Sequence, residues 1–132
     1  MLTKIFLFLM TLHLIIPVPA DAGLFKVVRV YDGDTVKAVG HDIEIKVRLV
    51  RIDAPETSKG KRQTGQPFSR QAEKYLAGLV LNKTVDIRGY GSDRYGRILG
   101  EIYVDDKNVN LEMVKKGYAE CLFRPNHPGD FI

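Results

Sequence analysis

The sequence is short of cysteine and lacks tryptophan, since Cys121 is the only cysteine in 132 residues. One thiol cannot form an intramolecular disulfide, which excludes a small domain held together by disulfides, and we expect Cys121 to be buried. Histidine is also scarce, and the few histidines have no zinc-ligand spacing, which argues against a zinc hydrolase. Of all residues, 45% are hydrophobic and 27% are charged, so disorder and collagen-like sequence are excluded.

The excess of positive charge is small: 20 Lys and Arg residues oppose 16 Asp and Glu residues, which gives a formal net charge of +4. A small basic protein favours polyanionic partners, and an ordinary solvated surface explains the same charge equally well. The chain contains no internal repeat and no linker long enough to divide it. Its length therefore predicts one domain with a single modest core.

A long apolar run is found only at the amino terminus. Residues 1–22 combine Lys4 near the start, an apolar stretch, and Ala20-Asp21-Ala22 at the end. The stretch is shorter than the roughly 20 residues of a membrane span. Small residues at the two positions that a signal peptidase inspects predict cleavage before Gly23, with a buried N-terminal helix as the alternative. We therefore expect export to a periplasm or the medium, no membrane span after cleavage, and a folded domain at 23–132.

Short segments rich in β-forming residues mark five strands. They lie at Leu24–Tyr31, Thr35–Val39, Ile43–Ile52, Thr84–Arg88 and Ile98–Val104. The turn dipeptide Asp32-Gly33 separates the first two. In the third strand, the alternation of apolar and polar residues slips by one position after Leu49. This slip predicts a bulge or a sharp bend of the kind that curls a sheet into a barrel.

Two further segments have helical periodicity. The first has Pro67 in its first turn and an apolar stripe that consists of Phe68, Ala72, Tyr75, Leu76 and Leu79. The second is predicted at Leu111–Lys116, with Asn110 as its cap and Gly117 at its end. Five strands with one helix between the third and fourth favour a mainly β (α+β) fold: a five-stranded OB-fold β-barrel with two helices. Periodicity alone supports a small β-rich barrel with two helices.

Three groups of charged residues are candidates for chemistry. They are Asp32-Gly33-Asp34-Thr35, Arg48 with Asp53-Ala54-Pro55-Glu56, and Asp93-Arg94-Tyr95-Gly96-Arg97. Each has a structural explanation when it is considered alone: a hairpin turn, the entry to a loop, and a surface ion pair. Together they match what the hydrolysis of a phosphodiester requires.

That reaction needs a hard cation, a base and fixed positive charge. Asp34 and Asp53 are oxygen donors at the ends of neighbouring strands and could hold the cation that neutralises phosphate charge. Glu56, placed beyond a rigid proline, could orient and deprotonate water without being a metal ligand. Arg48 and Arg97 could each bind two phosphate oxygens and stabilise the transition state, because guanidinium keeps its charge and its fork geometry.

The order and spacing of these residues resemble the thermonuclease family, whose members are staphylococcal or micrococcal nuclease-like. The two signatures are Asp32-Gly33-Asp34-Thr35-Val36 with Arg48-Leu49-x-x-Ile52-Asp53-x-Pro55-Glu56, and Asp93-Arg94-Tyr95-Gly96-Arg97-Ile98-Leu99-Gly100-Glu101-Ile102-Tyr103. The resemblance covers nearly all of residues 24–123. It implies an OB-fold barrel and a Ca²⁺-dependent endonuclease that cleaves DNA and RNA to 3′-phosphate products, with single-stranded or locally unpaired regions favoured.

The resemblance also implies the ligands of the cation. By motif position, Asp34 and Asp53 are carboxylate ligands, and the backbone carbonyl of Ala54 is a third ligand. Position 54 is Thr in the founding member of the family, but a carbonyl ligand does not depend on the side chain. Glu56 corresponds to the general base of the family.

The same resemblance assigns the groups that contact the substrate. Arg48 and Arg97 correspond to the phosphate-binding residues, and Tyr95 to a tyrosine whose hydroxyl contacts a substrate phosphate. Phe123 occupies the position of a second tyrosine and keeps a stacking face without the hydroxyl. The C-terminal helix of the family is not expected here, because two prolines and a glycine follow in residues 124–132, and we therefore expect lower stability or an intermolecular cover.

Two other functions remain open from the sequence. One is a catalytically silent OB-fold module that binds nucleic acid or protein. The presence of all five charged residues favours the enzyme, because silent modules usually lose carboxylates or arginines. The other is a basic protein at a lipid surface or cell wall that an uncleaved leader retains.

Overall fold

The computed structural model of the protein describes residues 23–57 and 64–122. The predictions for the leader at 1–22, for Phe123 and for the segment at 124–132 lie outside these residues. Within the described part of the chain, no helix has the length and apolarity that a membrane crossing requires.

Eight strands and two helices make up the described residues. In chain order they are β1 Leu24–Asp32, β2 Thr35–Gly40, β3 Ile43–Leu49, β4 Ile52–Asp53, α1 Ser69–Val80, β5 Thr84–Ser92, β6 Ile98–Val104, β7 Lys107–Asn108, α2 Val109–Lys115 and β8 Glu120–Cys121. The five long strands and both helices match the elements that periodicity predicts, and the strand β5 extends through the glycines that follow Arg88.

The five long strands close into a barrel. Strands β1, β2 and β3 form an antiparallel meander, β1 also pairs with β5, and β5 pairs with β6. A parallel pairing of β3 with β6 closes the barrel, with Val47 opposite Ile98 and Arg48 opposite Leu99. The predicted five-stranded barrel of OB type with two helices is therefore confirmed.

The core fills the barrel and the space beneath helix α1. Alternate strand residues point inward because successive side chains of a strand face opposite sides of the sheet. Fully buried members are Val27, Val36, Val47, Ile102, Ala72, Leu76, Val80 and Met113. Helix α1 packs on β1, and α2 packs on β6 and α1, so the two helices cover one part of the barrel.

The predicted bend after Leu49 is confirmed. Strand β3 ends at Leu49, and the two-residue strand β4 starts at Ile52. Arg51, between them, has a φ of 61°, in the left-handed region that non-glycine residues rarely adopt. This corner reverses the chain direction sharply enough to return Asp53 toward the end of β3.

The start of helix α1 differs from its prediction. Phe68 precedes the helix with a φ of 64°, and the residue is 70% exposed. Because Phe68 has a left-handed backbone conformation, its ring does not continue the apolar face of the helix. The predicted place of Phe68 in the buried stripe is therefore wrong. The rest of the stripe packs as expected, with Ala72 and Leu76 buried.

The cap of helix α2 also differs. Asn108 is the capping residue, and its side chain accepts a hydrogen bond from the Leu111 N–H at 3.0 Å. Asn110 is buried inside the first turn, where its amide donates to the carbonyls of Val50 and Gly100 at 3.0 and 3.2 Å. Because buried carbonyls need hydrogen-bond donors, the side chain of Asn110 bonds to these distant residues and does not cap the helix.

The prediction that Cys121 is buried is wrong. Cys121 lies exposed in β8, which pairs with β4 through Ile52 opposite Cys121 and Asp53 opposite Glu120. Of the four residues in this short ladder only Ile52 is buried, and both residues of β8 lie on the surface, so Cys121 is not part of the core.

Candidate active site

The turn between β1 and β2 brings Asp34 into the interior. The residue is 1% exposed, and its Oδ1 accepts a hydrogen bond from Thr35 Oγ1 at 3.0 Å. Its Oδ2 accepts one from the Ala54 N–H at 2.8 Å. Gly33 makes this approach possible, because a Cβ there would lie 2.7 Å from the Ala54 Cβ and 2.8 Å from the Ala72 Cβ.

Burial has a direct electrostatic effect on Asp34. Desolvation raises the pKa of its carboxyl to about 7, against the lowering effect of Arg48 and with a further rise from Asp32. Asp32 Oδ1 accepts the Asp34 N–H at 3.1 Å, so the two acids share one turn. A bound cation favours the ionised carboxylate, so any cation that bound at Asp34 would promote loss of this proton.

Arg48 joins the two predicted metal ligands. Its Nη1 lies 3.1 Å from Asp34 Oδ2, and its Nη2 lies 3.1 Å from Asp53 Oδ1. The same Nη1 donates to the carbonyls of Leu49 and Ile52 at 2.8 and 3.1 Å. The guanidinium therefore lies across the β3–β4 corner, and the predicted convergence of two acids and an arginine is present in the fold.

Glu56 lies in the loop that leaves this corner. It is three residues beyond Asp53, and the loop is held near its start by the bond from the Ala54 N–H to Asp34. The Glu56 N–H donates to Gln66 Oε1 at 2.6 Å, and the Gln66 N–H donates to the Glu56 carbonyl at 2.9 Å. Thr57 Oγ1 donates to the Tyr31 carbonyl at 3.1 Å, which ties the loop to β1.

Arg97 lies in the loop before β6, where its side chain pairs with Asp93. Because Ile98 pairs with Val47 on β3, Arg97 comes just before the strand segment that lies beside Arg48. Its Nε is 2.7 Å from Asp93 Oδ2, and its N–H donates to Asp93 Oδ1 at 3.0 Å. Burial alone would raise the pKa of Asp93, but hydrogen bonds from Arg97 and from the Tyr95 N–H outweigh it and lower that pKa.

Tyr95 stands at the tip of the same loop and is 68% exposed. Its hydroxyl accepts a hydrogen bond from Arg94 Nη2 at 2.7 Å, and the Arg97 guanidinium carbon lies 5.5 Å from its ring centroid. The ring is thus in the exposed position that a substrate contact requires. Phe123, the other residue predicted to contact substrate, lies outside the described residues.

The donors at the corner have the chemistry of a hard-cation site. Asp34, Asp53 and the backbone of Ala54 offer only oxygen ligands, which suit Ca²⁺ and Mg²⁺. Over 23–57 and 64–122 no group of three or more His, Cys, Asp or Glu side chains is placed to hold a metal ion. Water and backbone oxygen would therefore complete the coordination, as is usual for such cations.

A model of the family described as "Staphylococcal nuclease homologue" matches residues 46–130. The chain belongs to this family. The matched region contains the β3–β4 corner, the Glu56 loop and the Arg97 loop, so the resemblance in the sequence is confirmed.

Curated relatives agree with this membership. The chain is 43% identical over 103 residues to an "Uncharacterized endonuclease" of Haemophilus influenzae, and this alignment covers 77% of the chain and 54% of the relative. It is 42% identical over 95 residues to an "Uncharacterized endonuclease" of Escherichia coli, covering 71% and 58%. It is 38% identical over 116 residues to a "Micrococcal nuclease" of Shigella flexneri, covering 80% and 63%. The chain spans little more than half the length of the first of these relatives.

The fold contains a second charged cluster, which was not predicted from the sequence. Arg51 Nη1 lies 3.4 Å from Glu101 Oε1, while Glu101 Oε2 accepts hydrogen bonds from Tyr90 and Tyr103 at 3.1 and 2.9 Å. Asn108 Nδ2 donates to the Tyr103 hydroxyl at 3.2 Å. The available signal was Glu101 within the apolar strand β6, since a buried carboxylate needs a cationic partner.

Proposed function

We propose that this protein is an exported, Ca²⁺-dependent endonuclease that hydrolyses phosphodiester bonds of DNA and RNA. The observation that carries the proposal is the bridge that Arg48 makes between Asp34 and Asp53, at 3.1 Å to each. It combines cation ligands and a phosphate-binding fork at one corner of the barrel. The names of the relatives, endonuclease and micrococcal nuclease, support the same reaction.

The cation would be held by the carboxylates of Asp34 and Asp53 and by the Ala54 carbonyl. When bound, Ca²⁺ neutralises charge on the scissile phosphate and so lowers the barrier to attack. Once Asp34 has lost its proton, two carboxylates against the single guanidinium of Arg48 leave excess negative charge, which a divalent ion would offset. Ca²⁺ would also compete with Arg48 for carboxylate oxygens, and this leaves the guanidinium available for a phosphate.

Glu56 would act as the general base. Its carboxylate takes a proton from the attacking water, the water oxygen bonds to phosphorus, and the P–O5′ bond breaks. The 5′-oxygen leaves as a hydroxyl after it takes up a proton, and the 3′-phosphate remains on the other product. Arg48 and Arg97 would stabilise the charge that builds on the phosphate oxygens, while the Tyr95 hydroxyl would contact a phosphate.

A cleavage assay with matched variants tests the function. The purified protein is incubated with labelled single-stranded DNA or RNA in Ca²⁺ or in chelator, beside Glu56→Gln and the control Glu112→Gln in helix α2. We expect Ca²⁺-dependent cleavage to 3′-phosphate ends, a loss of about 10²-fold or more in kcat for Glu56→Gln, and little change in the control. Binding without cleavage in every divalent ion would instead identify a silent binding module.

Export is tested separately. The Gly23 carbonyl accepts a hydrogen bond from the Ile87 N–H at 2.8 Å, so the barrel already includes the residue that follows the proposed cleavage point. We expect N-terminal sequencing of the exported product to begin at Gly23. A product that begins at Met1 would contradict cleavage and favour retention by the leader.

A further inference from the structure

A group of basic side chains surrounds one tyrosine on the outer face of the barrel. Arg29 on β1 is the register partner of Lys37 on β2, and Lys37 is the register partner of Lys46 on β3. Tyr31 joins this row: the Arg29 guanidinium carbon and the Lys46 Nζ each lie 4.7 Å from its ring centroid. We refer to Arg29, Tyr31, Lys37 and Lys46 as the outer basic cluster.

The outer basic cluster holds uncompensated positive charge. Lys37 is paired with Glu44, at 2.7 Å between Nζ and Oε1. Arg29 and Lys46 are exposed, and among the described residues neither has a carboxylate partner. Two cations over one aromatic ring attract the ring and repel each other. An anion bound between them would relieve that repulsion, which makes this pair a suitable place for a phosphate.

The cluster is continuous with the candidate active site. Lys46 precedes Arg48 by two residues on the same face of β3, a separation of about 6.6 Å along a strand. On this face of the sheet, the pair of Lys37 and Lys46 is next to the pair of Thr35 and Arg48. From the other side, the Tyr31 carbonyl accepts the hydrogen bond from Thr57, the residue after Glu56. A chain held at Arg48 therefore meets the cluster next.

The partner that fits this surface is a polyanionic strand. Lys and Arg side chains that follow a nucleic-acid backbone supply its sequence-independent affinity. Single strands are flexible enough to curve along a barrel face, and grooves of positive charge with an aromatic residue are typical of proteins that bind them. Tyr31 would act as a positioning residue here, because its ring lies against both cations and limits their freedom.

We propose that Arg29 and Lys46, positioned by Tyr31, form a subsite for the phosphates of a single-stranded nucleic acid next to the phosphate at Arg48. This inference rests on the proposed function. At the phosphate spacing of a single strand, the subsite would hold phosphates that lie about one or two positions away from the scissile phosphate. The subsite predicts that affinity depends on the length of the substrate. A dinucleotide occupies only the Arg48 corner, whereas a longer strand also reaches the outer basic cluster.

The test compares two double variants of equal net charge. Arg29→Gln with Lys46→Gln removes the proposed subsite, and Lys107→Gln with Lys115→Gln removes two exposed charges on β7 and α2. Fluorescence anisotropy with a labelled 16-nucleotide oligothymidine in chelator gives Kd between 50 and 300 mM salt. We expect the subsite variant to bind about tenfold more weakly. The slope of log Kd plotted against the logarithm of the salt concentration should also decrease by about 1.4, because each of the two lost phosphate contacts contributes about 0.7.

Two further readouts separate a subsite from general charge. In Ca²⁺, the subsite variant should raise KM for the 16-nucleotide strand and leave kcat/KM for a dinucleotide unchanged. Tyr31→Leu should weaken binding of the long strand, and Tyr31→Phe, which keeps the ring, should restore it. Equal losses in the two double variants, or a loss that is the same for dinucleotide and long strand, would overturn the proposal.

The outcome also distinguishes the subsite from the nuclease activity. If the protein fails to cleave in Ca²⁺ but the subsite variant still loses salt slope relative to its control, the proposed function is wrong and the subsite stands. If the protein cleaves but both double variants keep the wild-type KM for the long strand, the function stands and the subsite is wrong.

Discussion

Two arginines at the β3–β4 corner, Arg48 and Arg51, pair with carboxylates that differ in their exposure to solvent. Arg48 bridges a buried acid, Asp34, and an acid whose side chain is 54% exposed, Asp53. Arg51 pairs with Glu101, which is 7% exposed and accepts two tyrosine hydroxyls as well. One cluster opens to solvent, where a cation or a phosphate can enter. The other is enclosed by its own hydrogen bonds and offers no such entry.

The contrast teaches how to separate a reactive charge pair from a structural one. Both clusters contain guanidinium and carboxylate at short distance, and both lie on the β3–β6 side of the barrel. The difference lies in what satisfies the carboxylate. Hydroxyl donors saturate one oxygen of Glu101, whereas Asp53 faces water and can exchange its partner. Exposure of one acid, and not the presence of an ion pair, therefore distinguishes the candidate active site from the enclosed cluster.

The largest effect should come from Arg48→Lys. Lysine keeps the charge but loses the fork that reaches Asp34 and Asp53 together, so kcat/KM for single-stranded DNA should fall by about 10²- to 10³-fold. The comparison variant is Arg51→Lys, which should retain most activity. Steady-state kinetics at saturating Ca²⁺ measures both. Equal losses in the two variants would remove the distinction between the clusters.

The next effect is on stability, from Glu101→Gln. Removal of the carboxylate takes away the charge that faces Arg51 and weakens the acceptor of the Tyr90 and Tyr103 hydroxyls, so the free energy of unfolding should drop by about 2–4 kcal/mol. Asp86→Asn, which breaks the exposed pair with Arg88, should change it by less than about 0.5 kcal/mol. Urea unfolding followed by circular dichroism gives both values. A loss in Glu101→Gln no larger than that of the control would show that the enclosed cluster contributes nothing.

A smaller effect concerns alkaline pH. Burial first, and then Glu101, raises the pKa of Tyr90 and of Tyr103 above the ordinary value of a phenol. The fold thus favours the protonated hydroxyls, and their stabilisation is complete below about pH 10 and lost as pH rises through the folded-state pKa. Tyr103→Phe should therefore lose less unfolding free energy between pH 9 and 11 than the wild type. Parallel curves for the two proteins would contradict this linkage.

The smallest effect should come from the exposed thiol. Cys121 pairs only through its backbone with Ile52, so Cys121→Ser should change activity less than twofold and leave unfolding nearly unchanged. A thiol reagent should modify the native protein at close to the rate for the unfolded chain. Protection by folding would show that Cys121 is covered in solution.

The sequence is informative where a local pattern decides the structure. The alternation slip after Leu49 predicts the corner because one extra residue must leave the pleat, and the turn residues between strands predict the meander. The structure brings Asp34, Asp53 and Arg48 together, and their roles as metal ligands and phosphate-binding residue stay predictions. The roles of Glu56 and Arg97 in catalysis stay predictions.

Where distant partners decide, the sequence is silent. Asn110 has a capping residue type, but its side chain instead donates hydrogen bonds to the carbonyls of Val50, in the β3–β4 corner, and Gly100, on β6. The Arg51–Glu101 pair joins residues 50 positions apart, and its partners could not be matched without the β3–β6 pairing. Phe68 belongs to the apolar period by sequence, while the backbone angle at the helix start sets its direction.

The fit of Gly33 has a consequence for how the molecule can fail. Any larger residue there would push the β1–β2 turn away from both Ala54 and helix α1, since the Cβ atoms of Ala54 and Ala72 already occupy that space. Helix α1 therefore packs closely against the turn that carries Asp34. Loosening of α1 on heating should displace the turn that carries Asp34 before the barrel itself unfolds. The proposed nuclease activity should therefore be lost at a lower temperature than the β-structure.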